Sequence, residues 1–210
     1  YSWTKKNFNY RYQTFSVQGP NNYYKDLKLS LLGEYQIINT VTAIAVVEEI
    51  NNYFPVQKND MIKSLKKVTW PGRLEIMNTS PIAILDGSHN KEGAKFLRKE
   101  LNKFKYNNLI VVLSILRDKD IDNIVNEIVF QADKVILSKN KNKRSAEIEE
   151  IKKYVSGYNL EIIEKKELKL AVKYALAISE KEDLILIGGS LSTVSEIRNW
   201  FLVNNKNKKK

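Results

Sequence analysis

Residues that could do chemistry gather in three short stretches of this chain. Trp-Pro-Gly-Arg at residues 70–73 places an arginine on a rigid turn, and Asp-Gly-Ser-His-Asn at residues 86–90 follows an apolar run. Gly-Gly-Ser at residues 188–190 follows a second apolar run. Arginine binds phosphate or carboxylate oxygens in pairs, aspartate accepts hydrogen bonds from sugar hydroxyls, and glycines at a helix start let backbone N–H groups approach an anion. Together these stretches predict a polar ligand site.

Each stretch also has a purely structural interpretation. The aspartate, serine and asparagine of residues 86–90 could cap a helix, and the glycines at 188–189 could form a tight turn between a strand and a helix. The loop at 114–120, with charged residues at 117–120, is either a fourth part of the site or a solvated turn. His89 is the only histidine, which excludes a site built from several histidines, and no Gly-x-Ser-x-Gly hydrolase motif occurs.

Alternating strands and helices, predicted from the sequence, would position these stretches. Short runs of β-branched residues and leucine predict strands at 82–85, 109–113, 134–137, 160–163 and 184–187. Helical periodicity predicts helices at 92–104, 121–130, 146–155, 168–179 and 193–202. This order is typical of an α/β fold, Rossmann-like, with a mostly parallel sheet and helices on both faces. Ligands bind outside the carboxyl ends of such strands, which is where the polar stretches lie.

Residues 1–54 have a different pattern. Alternating apolar and aromatic residues at 10–17 and 23–29 predict a β-hairpin, and the apolar spacing over 36–52 predicts a helix. Residues 55–72 begin and end with proline or glycine and predict a hinge with a short helical segment.

Composition narrows the class of protein. The chain has 210 residues, 43% of them apolar, which is enough for a real core. It has no cysteine, which excludes disulfides and thiolate metal sites and favours a reducing cytoplasm. The longest apolar run, residues 109–113, is far shorter than the roughly 20 residues of a membrane helix, so no membrane span is expected. The net charge of +11 could mark a nucleic-acid surface, but scattered lysines and a basic tail favour a solvated surface.

Five short motifs follow one another across nearly the whole chain. They are Leu-Gly at 32–33 with Gln36 and Asn39, Trp-Pro-Gly-Arg-Leu-Glu at 70–75, Asp-Gly-Ser-His-Asn at 86–90, Asp-Lys-Asp at 118–120 and Gly-Gly-Ser-Leu at 188–191. Their order and spacing resemble folylpolyglutamate synthase/dihydrofolate synthase, a branch of the Mur ligase superfamily. The chain differs from the usual pattern at Tyr35, where the family often has histidine, and at Thr40, where alanine is usual.

The resemblance implies a domain organisation. Residues 1–54 would be the carboxyl-terminal end of a P-loop ATPase domain, a hairpin plus a helix, and residues 55–72 a hinge. Residues 73–203 would form the Rossmann-like Mur ligase C-terminal (glutamate ligase) domain, and residues 204–210 a basic tail. No Gly-x-x-x-x-Gly-Lys-Ser/Thr run occurs, so we expect a fragment with no complete catalytic site and no metal site, inactive alone.

The resemblance also implies an activity, the ATP-dependent addition of L-glutamate to a folate or dihydropteroate carboxylate through an acyl phosphate. Asn39, Arg73 and Asp86 would contact ATP, and His89 and Ser190 would lie near the incoming glutamate. ATP and Mg²⁺ would be required, and the acceptor would be a pterin-type folate substrate of one-carbon metabolism. We expect a cytoplasmic monomer with no membrane or nucleic-acid partner.

Two alternatives remain open from the residues. One is another Mur-type amide ligase that acts on a cell-wall or cyanophycin-like precursor. The other is a non-catalytic, basic Rossmann-like binding module, which the positive charge supports. The residues also leave open whether a first glutamate is added, a polyglutamate tail is extended, or both.

Overall fold

The computed structural model describes residues 1–207 and divides into two compact units. Unit 1 is Tyr1–Trp70, and unit 2 begins at Pro71. The boundary therefore falls inside the Trp-Pro-Gly-Arg motif. Within the described residues, no helix is both long enough and apolar enough to cross a membrane.

Unit 1 is a three-stranded antiparallel sheet with two helices. The strands are β1 (Ser2–Phe8), β2 (Gln13–Gln18) and β3 (Tyr23–Leu29), and the helices are α1 (Glu34–Ile50) and α2 (Lys58–Leu65). The predicted hairpin is β2 with β3, and the predicted helix is α1. Strand β1 was not predicted, because an edge strand with half-exposed lysines lacks the clean alternation of a buried strand.

Residues 55–70, which the sequence suggested as most of a hinge, are part of unit 1. Helix α2 is amphipathic and packs Met61, Ile62 and Leu65 against the core of that unit. The backbone N–H of Ser30 also donates a hydrogen bond to the carbonyl of Leu65, at 3.1 Å. Most of the expected hinge is thus folded into unit 1, and eight of its eighteen residues form a helix whose apolar face packs against the core of that unit.

Unit 2 is built on a six-stranded sheet. Its strands are β4 (Glu75–Thr79), β5 (Ile82–Asp86), β6 (Leu109–Leu113), β7 (Lys134–Lys139), β8 (Glu161–Glu167) and β9 (Leu184–Gly188). The spatial order is β4-β5-β9-β6-β7-β8, and every pair is parallel except β4 with β5. The mostly parallel α/β sheet predicted from sequence is confirmed, with all five predicted strands present. Strand β4 was not predicted, because this half-buried edge strand has no continuous apolar run.

Helices cover both faces of this sheet. They are α3 (Lys91–Leu101), α4 (Ile121–Val129), α5 (Ile148–Val155), α6 (Leu168–Ile178) and α7 (Leu191–Asn207). One face, with Ile110, Val112 and Ile187, packs against α6 and α7. Since successive strand residues point to opposite faces, the alternate residues face the row formed by α3, α4 and α5. The last helix runs past its predicted end at residue 202, so residues 204–207 of the expected tail are helical, and residues 208–210 lie outside the described residues.

Candidate functional site

The polar stretches of unit 2 meet at the carboxyl edge of the parallel strands. Strand β9 lies between β5 and β6, and its last residue, Gly188, is in register with both Asp86 and Leu113. The loops after these three strands are therefore neighbours, as the sequence predicted. This is the edge where open α/β sheets bind ligands.

Asp86 is the most deeply buried acidic residue of this edge, with 3% of its surface exposed. Its Oδ2 accepts a hydrogen bond from the backbone N–H of Leu74, and its Oδ1 accepts one from the N–H of Ser88, both at 2.8 Å. Burial raises the pKa of Asp86 above its usual value, although the hydrogen bonds from Ser88 and Leu74 and the charge of Arg73 oppose the shift. The carboxylate therefore fastens two backbone segments together, one of them the segment that carries Arg73.

Arg73 lies on that segment and is partly exposed. Among the described residues its guanidinium has no hydrogen-bond or ion-pair partner, in contrast to Arg98, Arg117 and Arg198, which are all paired with glutamates. The backbone of Arg73 is held in place, and its guanidinium N–H groups are available. Such an arginine is suited to bind the oxygens of a phosphate or carboxylate ligand.

His89 and Asn90 follow Asp86 at the start of α3. The Oδ1 of Asn90 accepts a hydrogen bond from the N–H of Gly93 at 2.9 Å, so this residue caps the helix. His89 is half-buried, and its Nδ1 lies 2.9 Å from the carbonyl oxygen of Gly87. That contact orients the ring and leaves Nε2 with no partner among the described residues. His89 can therefore offer a single ring nitrogen to a ligand.

Ser190 is fully buried and caps α7. Its Oγ accepts a hydrogen bond from the N–H of Thr193 at 3.1 Å and lies 2.8 Å from the Oγ1 of Thr193. The glycine before it has a φ of +100°, and a β-carbon there would lie 2.8 Å from the carbonyl oxygen of Ser114. Glycine at residue 189 is thus required by the turn itself.

A buried polar network surrounds Ser190 and was missed from sequence. The Nδ2 of Asn140 lies within hydrogen-bond distance of the hydroxyl oxygens of Ser114, Ser190 and Thr193, at 3.0, 3.3 and 3.2 Å. These residues tie the ends of β6, β7 and β9 to the start of α7. Asn140 directly follows β7, so the strand-end rule that selected the other loops would also have selected it.

The charged loop after β6 is paired within the protein. Arg117 forms an ion pair with Glu150 at 3.2 Å, and Asp118 with Arg144 at 3.1 Å. Asp120 caps α4 by accepting a hydrogen bond from the N–H of Asn123. These contacts support the interpretation of this loop as a solvated turn.

Asn39 belongs to unit 1, in α1, and is exposed. Its Nδ2 lies 3.3 Å from the Oε1 of Gln36. Across residues 1–207, no three His, Asp or Glu side chains gather closely enough to hold a metal ion.

Comparison with known proteins gives consistent matches. The family described as Mur ligase, glutamate ligase domain, matches residues 72–191. The dihydrofolate synthase/folylpolyglutamate synthase of Buchnera aphidicola is 31% identical over 177 residues, which are 84% of this chain and 43% of that protein. The Mycobacterium tuberculosis enzyme of the same name is 35% identical over 141 residues, 65% of this chain and 29% of that protein.

Solved structures match over nearly the whole chain. Mycobacterium tuberculosis folylpolyglutamate synthase, solved in complex with ADP and AMPPCP, has a TM-score of 0.78 and 29% identity. The match covers 90% of this chain and 45% of that one. The chain thus spans less than half the length of these relatives. Because the family match covers more than half of these 210 residues, the chain belongs to the Mur ligase family, with its glutamate ligase domain at residues 72–191.

Proposed function

We propose that this chain is part of an ATP-dependent ligase that adds L-glutamate to the carboxylate of a folate or of dihydropteroate. The observation that carries the proposal is Arg73, whose guanidinium has no hydrogen-bond or ion-pair partner among the described residues and lies at the carboxyl edge of the sheet. Similarity to enzymes named dihydrofolate synthase/folylpolyglutamate synthase supplies the substrate class. The complex of the Mycobacterium tuberculosis relative with ADP and AMPPCP supports a nucleotide as the ligand.

The chemistry explains why a cationic side chain is needed. A carboxylate is a poor electrophile, so the γ-phosphoryl group of ATP is transferred to it and ADP leaves. The amino group of glutamate then attacks the acyl phosphate, an amide bond forms, and inorganic phosphate leaves with the loss of a proton from nitrogen. Negative charge accumulates on phosphate oxygens in both steps, and a guanidinium stabilises it by two parallel hydrogen bonds.

Five residues have places in this proposal. Asn39 and Arg73 contact ATP, and Asp86 serves the nucleotide through the backbone segment that it fastens to β5. His89 and Ser190 lie near the incoming glutamate, His89 through its remaining ring nitrogen and Ser190 through the start of α7 that it caps. Mg²⁺ is included because phosphoryl transfer commonly uses it. The described residues offer it no cluster of ligands.

We also propose that residues 1–54, together with the folded residues 55–70 of the same unit, are the end of the ATPase domain, that residues 73–203 form the C-terminal domain, and that the enzyme is a cytoplasmic monomer. The cysteine-free composition is compatible with a reducing compartment. The 210-residue chain alone should not ligate glutamate, since it contains no phosphate loop.

The test is ligation by the full-length protein. Purified protein is incubated with ATP, Mg²⁺, L-glutamate and either dihydropteroate or tetrahydrofolate, and the product is identified by mass. A product heavier by one glutamate residue, absent with the 210-residue chain, is expected. Turnover only with a cell-wall or cyanophycin-type precursor would establish a different Mur-type ligase. No ATP-dependent product with any acceptor would favour a binding module.

A further inference from the structure

The turn that carries Arg73 is held by three hydrogen bonds. The N–H of Gly72 donates to the Oε2 of Glu75, the N–H of Leu74 donates to Asp86, and the N–H of Gly87 donates to the carbonyl of Gly72, each at 2.8 Å. Leu74 has a φ of +47°, a left-handed conformation that costs a non-glycine residue energy. Such a conformation persists only where the surroundings impose it.

One face of α7 packs against this turn. Leu191, Val194 and Arg198 are three and four residues apart and therefore share a face of the helix. A β-carbon on Gly72 would lie 2.3 Å from Cγ1 of Val194, and one on Gly87 would lie 2.4 Å from Cδ2 of Leu191, so the helix packs directly on both backbones. The third contact, from Arg198, is ionic.

Arg198 reaches the turn through Glu75. Its Nε lies 2.9 and 3.0 Å from the two carboxylate oxygens of Glu75, and one of these oxygens accepts the hydrogen bond from Gly72. Both side chains are largely shielded from water, with exposed fractions of 29% and 23%. A continuous chain of bonds thus runs from α7 to the residue that directly precedes Arg73.

We propose that Arg198 is a positioning residue for Arg73, acting through Glu75 and the turn at residues 72–75. The inference rests on the proposed function, in which Arg73 binds ATP. A turn fixed before ligand binding places the arginine without a further loss of backbone freedom, which favours affinity for the nucleotide. Glutamate binding should be independent of this chain of bonds.

The experiment compares Arg198→Met with Arg98→Met in the full-length protein. Arg98 is the matched control, because it forms an ion pair of similar exposure with Glu127 and belongs to α3, outside the turn. We expect Arg198→Met to raise KM for ATP by about fivefold to tenfold with KM for glutamate unchanged, whereas Arg98→Met changes neither. Arg198→Lys, which keeps the charge, should restore part of the affinity and serves as the variant if Arg198→Met does not fold.

A double variant tests whether Arg198 affects ATP binding through Arg73. If Arg198 acts through Arg73, then Arg198→Met added to Arg73→Ala should cause no further change in KM for ATP. Equal effects of Arg198→Met with and without Arg73 would overturn the proposal. If Arg73→Ala itself leaves ATP use unchanged, both the positioning role and the assignment of Arg73 are wrong.

Amide exchange in the 210-residue chain separates this proposal from the proposed function. Arg198→Met should speed exchange at the N–H groups of Gly72 and Leu74, and Arg98→Met should not. Unchanged exchange at both amides would overturn the positioning role whatever reaction the enzyme performs. Faster exchange together with an unchanged KM for ATP would overturn it while leaving the ligase assignment intact.

Discussion

Replacing Asp86 by asparagine should destabilise unit 2. Asparagine keeps the size of the side chain but turns one of the two acceptor oxygens into an N–H donor, so the N–H of Leu74 or of Ser88 loses its partner inside the protein. Losing a buried hydrogen bond to a charged group costs about 1.5–3 kcal/mol. The variant also no longer buries a charge, which offsets part of that loss. We therefore expect a net loss of about 1–2 kcal/mol, or roughly 3–7 °C in Tm for a domain of this size.

The pH dependence of this effect has a definite sign. Burial raises the pKa of Asp86 above its ordinary value of 3.8, so the folded state holds the proton more tightly than the unfolded state. The stability that Asp86 contributes is then complete below pH 3.8 and falls as the pH rises through the folded-state pKa. Asparagine does not titrate. The difference in Tm between the two proteins should accordingly narrow as the pH rises through this window.

Thermal unfolding of the 210-residue chain, followed by circular dichroism, measures both effects. Asp120→Asn is the matched control, since Asp120 is an exposed cap of α4 and asparagine caps helices as well as aspartate does. Its Tm should stay close to that of the unchanged chain. If Asp86→Asn unfolded at the same temperature as this control, the two backbone contacts of Asp86 would not stabilise the fold. A difference that widened with rising pH would refute the argument from burial.

Three further predictions concern Arg73, Ser190 and Glu48, the last a residue of α1 that accepts hydrogen bonds from Asn22 and Tyr24. Arg73→Ala should lower the Tm of the chain less than Asp86→Asn does, because the guanidinium has no hydrogen-bond or ion-pair partner among the described residues and acts on the fold through its charge near Asp86. It should lower ATP-dependent turnover of the full-length protein about tenfold or more; a fall in Tm larger than that of Asp86→Asn would make it a structural residue. Ser190→Ala removes the cap of α7 and its contact with Thr193, and urea unfolding should show a loss of about 1–2 kcal/mol. Burial opposes ionisation of Glu48, but hydrogen bonds from groups that include Tyr24 outweigh it and lower the pKa of Glu48. Its stabilisation should therefore be present above pH 4.5 and lost as the pH falls through the folded-state pKa, so acid unfolding curves of Glu48→Gln and the unchanged chain should converge at low pH.

Sequence predicted the central strands well because burial on both faces demands an unbroken apolar run. Strand β6 (Leu109–Leu113) matches its predicted bounds, and every residue in it is buried. The edge strands β3 and β8 keep an alternating or short apolar pattern and were predicted, whereas polar residues interrupt the pattern of the edge strands β1 and β4. Periodicity alone could not find them.

The candidate site was predictable in position but not in the use of each side chain. The strand-end rule located Asp86 and Ser190, yet each also has a hydrogen-bond partner far away in sequence. Asp86 accepts from Leu74, whose positive φ no local pattern indicates, and Ser190 meets Asn140, which lies 50 residues away in sequence. The side chains predicted to contact ligands thus also stabilise the fold. Buried polar groups at this edge of the sheet need hydrogen-bond partners within the protein, whether or not a ligand is bound.

Helix α7 is one rigid element that positions residues of both proposed subsites. It begins beside Ser190, in the polar network near the proposed glutamate position, and two turns later Arg198 holds the turn that carries Arg73. Eight residues of helix span about 12 Å, and a packed helix transmits position over that distance better than a loop. Val194 and Ile197 anchor this helix in the apolar core of unit 2. Since the core fixes the helix, the spacing between Arg73, the proposed nucleotide contact, and the proposed glutamate position is set by folding rather than by the ligands, which suits the proposed attack of an amine on an acyl phosphate.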